Sequence, residues 1–325
     1  MKNLLIVTEN FYPKCDGVTR FLDETVPFLS QEFNITMVVP DYGVPLPEPL
    51  KGVQRVIGFP VFRGIGATGY HPCFPQWGVL KKEIARSSVV FAQMGPSLAA
   101  WSIILAGRQK KKTAVYFHIM GWDQIAYILT RHRFVQKMIR AVVLGYAKAV
   151  FRSVDMLLVP SEDIVDEINQ VGIATPKRVV HPGVNTSLFR PPEDRKTTKR
   201  KMGIPEDKIV IGFCGRLSHE KDIETLLRAF EELEKKYPNL FLLLVGDGEH
   251  LIKEKAQRTK NARVTGFVSD VVSYYQAMDI YVSPSLTETT GLAIVEAMAC
   301  GLPIISTPVG FARTSINNSQ NGLVF

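Results

Sequence analysis

Short apolar runs recur along almost the whole chain, and the stretches between them carry the spacing of helices. Parallel strands need crossovers long enough to hold a helix, so this alternation predicts a parallel sheet covered by helices. In the first half the predicted strands are Asn3–Thr8, Asn34–Pro40, Ser88–Gln93, Thr113–His118, Asp155–Val159 and Arg178–His181. In the second half they are Lys208–Cys214, Leu240–Val245, Arg263–Phe267, Asp279–Val282, Pro303–Ser306 and Gly322–Phe325. Between the halves lies Arg190–Lys201, RPPEDRKTTKRK, which is proline-led, highly charged and nearly free of apolar side chains. Such a segment cannot build core and reads as a surface linker. The predicted division is a first domain over 1–189, a linker over 190–207 and a second domain over 208–325. A chain of 325 residues also exceeds what one core usually serves. The expected fold class is α/β, with two doubly wound domains facing an interdomain cleft. Open sheets of this kind bind ligands beyond the carboxyl ends of their strands, which makes that cleft the expected site.

Composition narrows the partners. With 46% apolar and 22% charged residues the chain is an ordinary folded protein. Its net charge of +8 suits phosphorylated substrates, an anionic membrane surface or nucleic acid. Cys15, Cys73, Cys214 and Cys300 contain no Cys-x-x-Cys pair, which argues against a zinc site or disulfide scaffold and for a reducing, cytoplasmic compartment. The amino-terminal MKNLLIVTENFYP meets Glu9 at once and reads as a first strand rather than a signal peptide. No stretch approaches the roughly 18 uncharged apolar residues of a membrane span.

The most informative segment is Ser283–Gly301, SPSLTETTGLAIVEAMACG. Leu292–Cys300 reads as a helix that is apolar all round except for Glu296, and an all-apolar helix is normally buried. A buried carboxylate needs a partner. Its neighbours one turn away offer no cation, so either a distant Arg or Lys or the hydroxyls of a bound sugar must satisfy it. Glu288 lies eight positions earlier, in the loop before that helix. The loop runs through Thr290 and Gly291 into Leu292 and presents backbone N–H groups at a helix amino end, a place suited to phosphate. A second segment, Phe213–Lys221, FCGRLSHEK, closes a predicted strand. Gly215 permits a tight turn there, and Arg216 and Lys221 are two cations able to stabilise a departing diphosphate. In the first half, Gly17 of Pro13–Gly17 opens a predicted helix over Val18–Gln31. His118 closes a predicted strand, where it can bind a hydroxyl or assist proton transfer.

These segments together resemble family 4 of the retaining glycosyltransferases. The family's Glu, seven residues, Glu signature is met by Glu288 and Glu296, and its Gly-Arg-Leu followed by Lys by Gly215, Arg216, Leu217 and Lys221. Gly246–Gly248 (GDG), Glu296–Pro303 (EAMACGLP) and His181–Phe189 (HPGVNTSLF) match as well. The resemblance implies the GT-B fold, in which two Rossmann-like domains face each other. Family members continue past the equivalent of NGLVF through further helices, so the chain is expected to lack its carboxyl-terminal end. By position, Glu288 would hold donor-sugar hydroxyls, Glu296 the ribose, Arg216 and Lys221 the diphosphate, and His118 the transferred sugar. Gly17 would let its loop approach the phosphates, although Asp16 stands where the family commonly has a second glycine. No cofactor and no metal are implied beyond the nucleotide-sugar co-substrate, because the two cations do the metal's electrostatic work. Retention is ascribed to same-face attack, with the departing phosphate taking the acceptor's proton.

Within the family, PSLTETTGLAIVEAMACGLP and GRLSHEKDIETLL look most like enzymes that glycosylate diacylglycerol-type lipids, the sulfoquinovosyl, mannosyl and glucosyl transferases among them. Residues 107–152 carry ten Lys or Arg (108, 110, 111, 112, 131, 133, 137, 140, 148, 152) against Asp123 alone. Arg133–Arg152 adds Phe134, Met138, Ala141, Val142, Leu144 and Gly145 at near-helical spacing. A basic amphipathic helix can lie on an anionic bilayer, which places the chain as a peripheral protein on the inner membrane face. A solvated helix with its other face in the core fits the same pattern. No nucleic-acid motif accompanies the charge. The alternatives on this architecture are an epimerase, a glycosyltransferase with a soluble acceptor, and a non-catalytic nucleotide-sugar-binding subunit. A phosphorylase would need a lysine for pyridoxal phosphate that the sequence does not identify.

Overall fold

Thirteen strands form two sheets in the described residues, and every strand pairing within them is parallel. The computed structural model describes the chain apart from residues 14–15, 46–50, 63–70, 75, 94, 119–120 and 131 and the side chains of 123–124 and 127–128. Cys15 and Arg131 thus lie outside the described residues, as does the stretch that follows His118. The chain divides into two units, Met1–Pro182 and Gly183–Phe325.

The first unit holds β1 (Lys2–Val7), β2 (Phe33–Asp41), β3 (Val53–Pro60), β4 (Val89–Gln93), β5 (Lys112–Tyr116), β6 (Met156–Val159) and β7 (Lys177–Val179), in the order β3-β2-β1-β4-β5-β6-β7. Side chains alternate across a strand, so β1 sends Leu4 and Ile6 into one core and Leu5 and Val7 into another. Strand β3 is the one the apolar pattern does not predict. It sits at the sheet edge with β2 as its partner, so half of its surface stays wet and tolerates Gln54, Arg55 and Pro60.

The second unit holds β8 (Ile209–Cys214), β9 (Leu240–Val245), β10 (Ala262–Val264), β11 (Ile280–Ser283), β12 (Ile304–Ser306) and β13 (Gly322–Val324), in the order β10-β9-β8-β11-β12-β13. The helix Ile223–Lys236 buries Ile223, Leu226, Leu227 and Phe230, one face of a 3.6-residue period, against this sheet. Both sheets are doubly wound, with their strand order reversing between β1 and β4 and between β8 and β11. In open α/β sheets ligands bind at such switch points, beyond the carboxyl ends of the strands.

The division differs from the linker predicted over 190–207. Phe189 and Ile204 pack in the core of the second unit, and residues 195–201 fold as a helix capped by Asp194, which accepts from Lys196 N at 3.0 Å and Thr197 N at 3.2 Å. Lys199 is only 5% exposed. Its Nζ donates to Lys208 O at 2.8 Å and Asp279 Oδ2 at 2.5 Å. A cation can enter a core when carboxylate and carbonyl partners meet it there, which a charge count along the segment does not reveal.

Candidate functional site

The loop after β8 begins at Gly215 with φ +153°, and the loop after β9 at Gly246 with φ +139°. Both conformations favour glycine. The two loops continue the strand pairing beyond the sheet: Gly215 N donates to Val245 O at 2.9 Å, Leu217 N to Asp247 O at 2.9 Å, and Glu249 N to Leu217 O at 2.7 Å. A Cβ on Gly246 would lie 1.9 Å from Gly215 O, and one on Gly248 2.1 Å from Leu217 O. The GDG motif is therefore the groove into which the Gly-Arg-Leu loop lies.

That brace presents Arg216 and Lys221 at the switch point. Arg216 is about half exposed, and its Nη2 donates to Glu220 Oε1 at 2.8 Å. The Ser218 hydroxyl donates to the same oxygen at 2.8 Å. Partial burial works to raise the Glu220 pKa. The Ser218 hydroxyl, the residue's own N–H, Arg216 and Lys221 outweigh that and hold it below the usual carboxylate value. Lys221 reaches across to the loop after β11, where its Nζ donates to Glu288 Oε1 at 2.5 Å. Ser285 Oγ donates to that oxygen at 3.0 Å, and Leu286 N donates to Glu220 O at 2.9 Å. The structure thus brings Arg216, Lys221 and Glu288 together as the sequence predicts and adds Glu220 and Ser285.

The Glu288 loop is held from behind by the turn after β12. Phe311 N donates to Thr290 O at 2.8 Å, and a Cβ on Gly310 (φ +51°) would lie 2.8 Å from that carbonyl. Gly291, in the left-handed region at φ +71°, stands at the amino end of the helix Leu292–Ala299, which no side chain caps. Glu296 lies on this helix and is 5% exposed. Its Oε2 accepts from the Tyr275 hydroxyl at 2.7 Å. Burial, with Cys214 and Glu296 close by, raises the Tyr275 pKa far above its ordinary value, so the phenol stays a donor. The local sequence predicts an Arg, a Lys or a ligand as partner, and the structure supplies a tyrosine 21 residues away.

The first unit has a polar cluster of its own. His118 follows β5, and its Nε2 lies 2.8 Å from Oε1 of Gln93, the last residue of β4. Burial pushes the imidazole pKa down to about 3, which leaves it neutral. At the end of β1, Glu9 accepts from Ser97 N at 2.7 Å and Ala99 N at 3.0 Å, fixing the loop after β4. Gly17 opens the helix Gly17–Leu29 as predicted and is exposed, but Asp16 caps that helix. Its Oδ1 accepts from Val18 N at 2.9 Å and Thr19 N at 3.1 Å. The Val18 and Thr19 N–H groups at this helix end are thus met by a carboxylate.

The basic stretch is not one patch. Lys110, Lys111, Lys112 and Arg152 line a cavity of about 320 Å³ together with Asp155. Lys111 Nζ is spent on Ala85 O and Ser87 O, and Lys112 lies 3.6 Å from Asp155. Arg133 and Lys137 sit at the far end of a 19-residue helix, Arg133–Phe151, roughly 28 Å long. That helix exposes Phe134, Met138, Ala141, Val142 and Gly145 along one face, whereas Leu144 packs on the core. None of the described helices is long and apolar enough to cross a membrane.

Residues 15–188 match the family model Glycosyltransferase Family 4, and residues 194–325 match Glycosyl transferases group 1. An α-monoglucosyldiacylglycerol synthase of Streptococcus pneumoniae is 28% identical over 75% of this chain and 57% of its own length. A D-inositol 3-phosphate glycosyltransferase of Catenulispora acidiphila is 32% identical over 54% of this chain and 46% of its own length. The chain spans about half the length of the curated relatives it matches. The crystal structure of Anabaena HepE in complex with UDP-glucose shares the fold, with a TM-score of 0.74 at 17% identity over 100% of this chain and 85% of that one.

Proposed function

The chain belongs to glycosyltransferase family 4, and from that premise we propose that it moves a hexose, with retention, from a UDP- or GDP-sugar to an acceptor hydroxyl. The observation that carries this reading is the Lys221–Glu288 contact at the switch point of the second sheet. Sugar and diphosphate are neighbours in such a donor, and here a carboxylate fit for sugar hydroxyls touches an ammonium fit for phosphate. Arg216 supplies the second positive charge. Glu296, oriented by Tyr275, takes the ribose, and the uncapped turn at Thr290, Gly291 and Leu292 faces the phosphates with its N–H groups. In the transfer step the acceptor oxygen bonds to the anomeric carbon as the bond to the diphosphate breaks. The acceptor's proton passes to the leaving phosphate oxygen. No metal is part of this proposal, since Arg216 and Lys221 stabilise the charge that develops. The test is incubation with a panel of UDP- and GDP-sugars and a lipid extract, read by mass spectrometry, with the anomeric configuration read by NMR. Absence of any new glycoside would overturn the assignment, and an inverted anomer would overturn retention. Glu296→Ala is expected to weaken donor binding by calorimetry, and unchanged affinity in the folded variant would remove its ribose role.

We further propose a lipid acceptor reached from an anionic membrane, with nucleic acid excluded. What supports this is the exposed apolar face of Arg133–Phe151 between flanking cations and the likeness to a relative named as a diacylglycerol glycolipid synthase. Each Lys or Arg near an anionic surface contributes about 1 kcal/mol. Sedimentation is expected to show binding to anionic but not neutral liposomes and release by salt. Replacing Phe134, Met138 and Val142 with Ser is expected to weaken binding at least tenfold, the scale of the apolar area removed. No binding to either lipid would favour a soluble acceptor.

A further inference from the structure

Gln93 and His118 stand at the carboxyl ends of neighbouring parallel strands, β4 and β5, beside the switch point of the first sheet. Gln93 has no exposed surface. Its amide Nε2 is buried with no hydrogen-bond partner among the described residues. Leaving a polar group unmet in a core costs about 1–3 kcal/mol, and a leucine of similar volume would avoid that cost. A residue kept at such a position serves something other than stability.

The hydrogen bond that its side chain makes among the described residues is the 2.8 Å contact of Oε1 with His118 Nε2. The imidazole is hemmed in by Phe21, edge-on at 5.2 Å, and by Tyr116 at 4.8 Å, so it has little room to turn. A neutral imidazole carries one N–H, and an amide oxygen can only accept. With the amide oxygen turned to the ring, this pairing calls for the proton on Nε2 and leaves Nδ1 its lone pair.

We propose that Gln93 is a positioning residue that fixes His118 as the Nε2–H tautomer, so that Nδ1 accepts a hydrogen bond from a hydroxyl of the transferred sugar. The proposal rests on the reading of His118 as the sugar contact. It makes recognition directional: the histidine selects a hydroxyl able to donate and rejects a deoxy or O-alkylated sugar at that carbon. Without the amide oxygen, the ring samples both tautomers, and one of them offers the sugar a second donor instead of an acceptor.

The test uses the full chain with ¹⁵N-labelled histidine, its six histidines resolved by long-range proton–nitrogen correlation and the His118 signals identified by their loss in His118→Gln. Wild type is expected to show His118 protonated at Nε2 and bare at Nδ1. Gln93→Leu is expected to shift it toward a mixture while leaving thermal stability unchanged or raised. With the donor found by the panel above, Gln93→Leu is expected to lower kcat about tenfold, the scale of one hydrogen bond, with KM for the donor little changed. A proton on Nδ1 in wild type, or an unaltered tautomer in Gln93→Leu, would overturn the proposal. The nitrogen shifts are read without turnover, so they decide the role of Gln93 even where the panel yields no glycoside.

Discussion

Lys221→Ala is expected to lower kcat by roughly two to three orders of magnitude, the scale seen when one transition-state charge stabiliser is removed. Two losses combine at this position. On the proposed function the departing diphosphate would lose one of two cations, and Glu288, 18% exposed, would lose its contact with the Lys221 Nζ. On that reading the carboxylate would then stand beside the phosphate without the ammonium between them. Arg216→Ala is expected to fall in the same range, since only its Glu220 partner is left behind and Glu220 retains Ser218. Treatment with EDTA is expected to leave wild-type turnover nearly untouched. Steady-state kinetics on folded variants decides the matter. A loss below tenfold at both positions, or strong metal dependence, would mean that the charge is stabilised by something else.

The second large effect is structural. Gly246→Ala is expected to destabilise the second unit by several kcal/mol. About 1–3 kcal/mol comes from forcing an L-residue to a φ of +139°, and about 1–3 kcal/mol from the clash with Gly215 O. The struck atom is backbone on the neighbouring loop, so no rotamer change relieves it. The loop must move, and Arg216 and Lys221 move with it. Calorimetry is expected to show Tm lower by roughly 10 °C. A shift under about 2 °C would show that the two loops are not the rigid brace described above.

Much of this was legible in the residues because it is local. Strands such as β9, LFLLLV, are buried along their whole length and announce themselves by continuous apolarity. The Arg216–Lys221 loop and the Glu288 loop each lie next to a strand end, and their spacing is preserved in the sequence. What stayed hidden depends on contacts between distant positions. Tyr275 meets Glu296 only after β11 and the following helix have packed, and Gln93 meets His118 only because β4 and β5 are neighbours. Edge position hid β3 behind its polar residues. Lys199 looked like solvent-facing charge because Asp279, its partner, lies 80 residues away. Asp16 is the opposite case: its capping pattern with Thr19 is local and readable in the sequence.

The Lys199–Asp279 pair also decides where this chain can be exchanged with a relative. A chimera joined before Lys208 would take its 195–201 helix from one parent and Asp279 from the other. Among the described residues Asp279 would then keep Val210 N, which donates to Oδ2 at 2.8 Å, and would lose Lys199 and Arg195 unless the other parent carried matching cations. A chimera joined between Pro182 and Gly183 keeps the helix, Phe189, Ile204 and the carboxylate in one inheritance. Segments that recombine safely are those whose buried charges travel with their partners, and in this chain that seam lies seven residues ahead of the linker drawn by composition over 190–207.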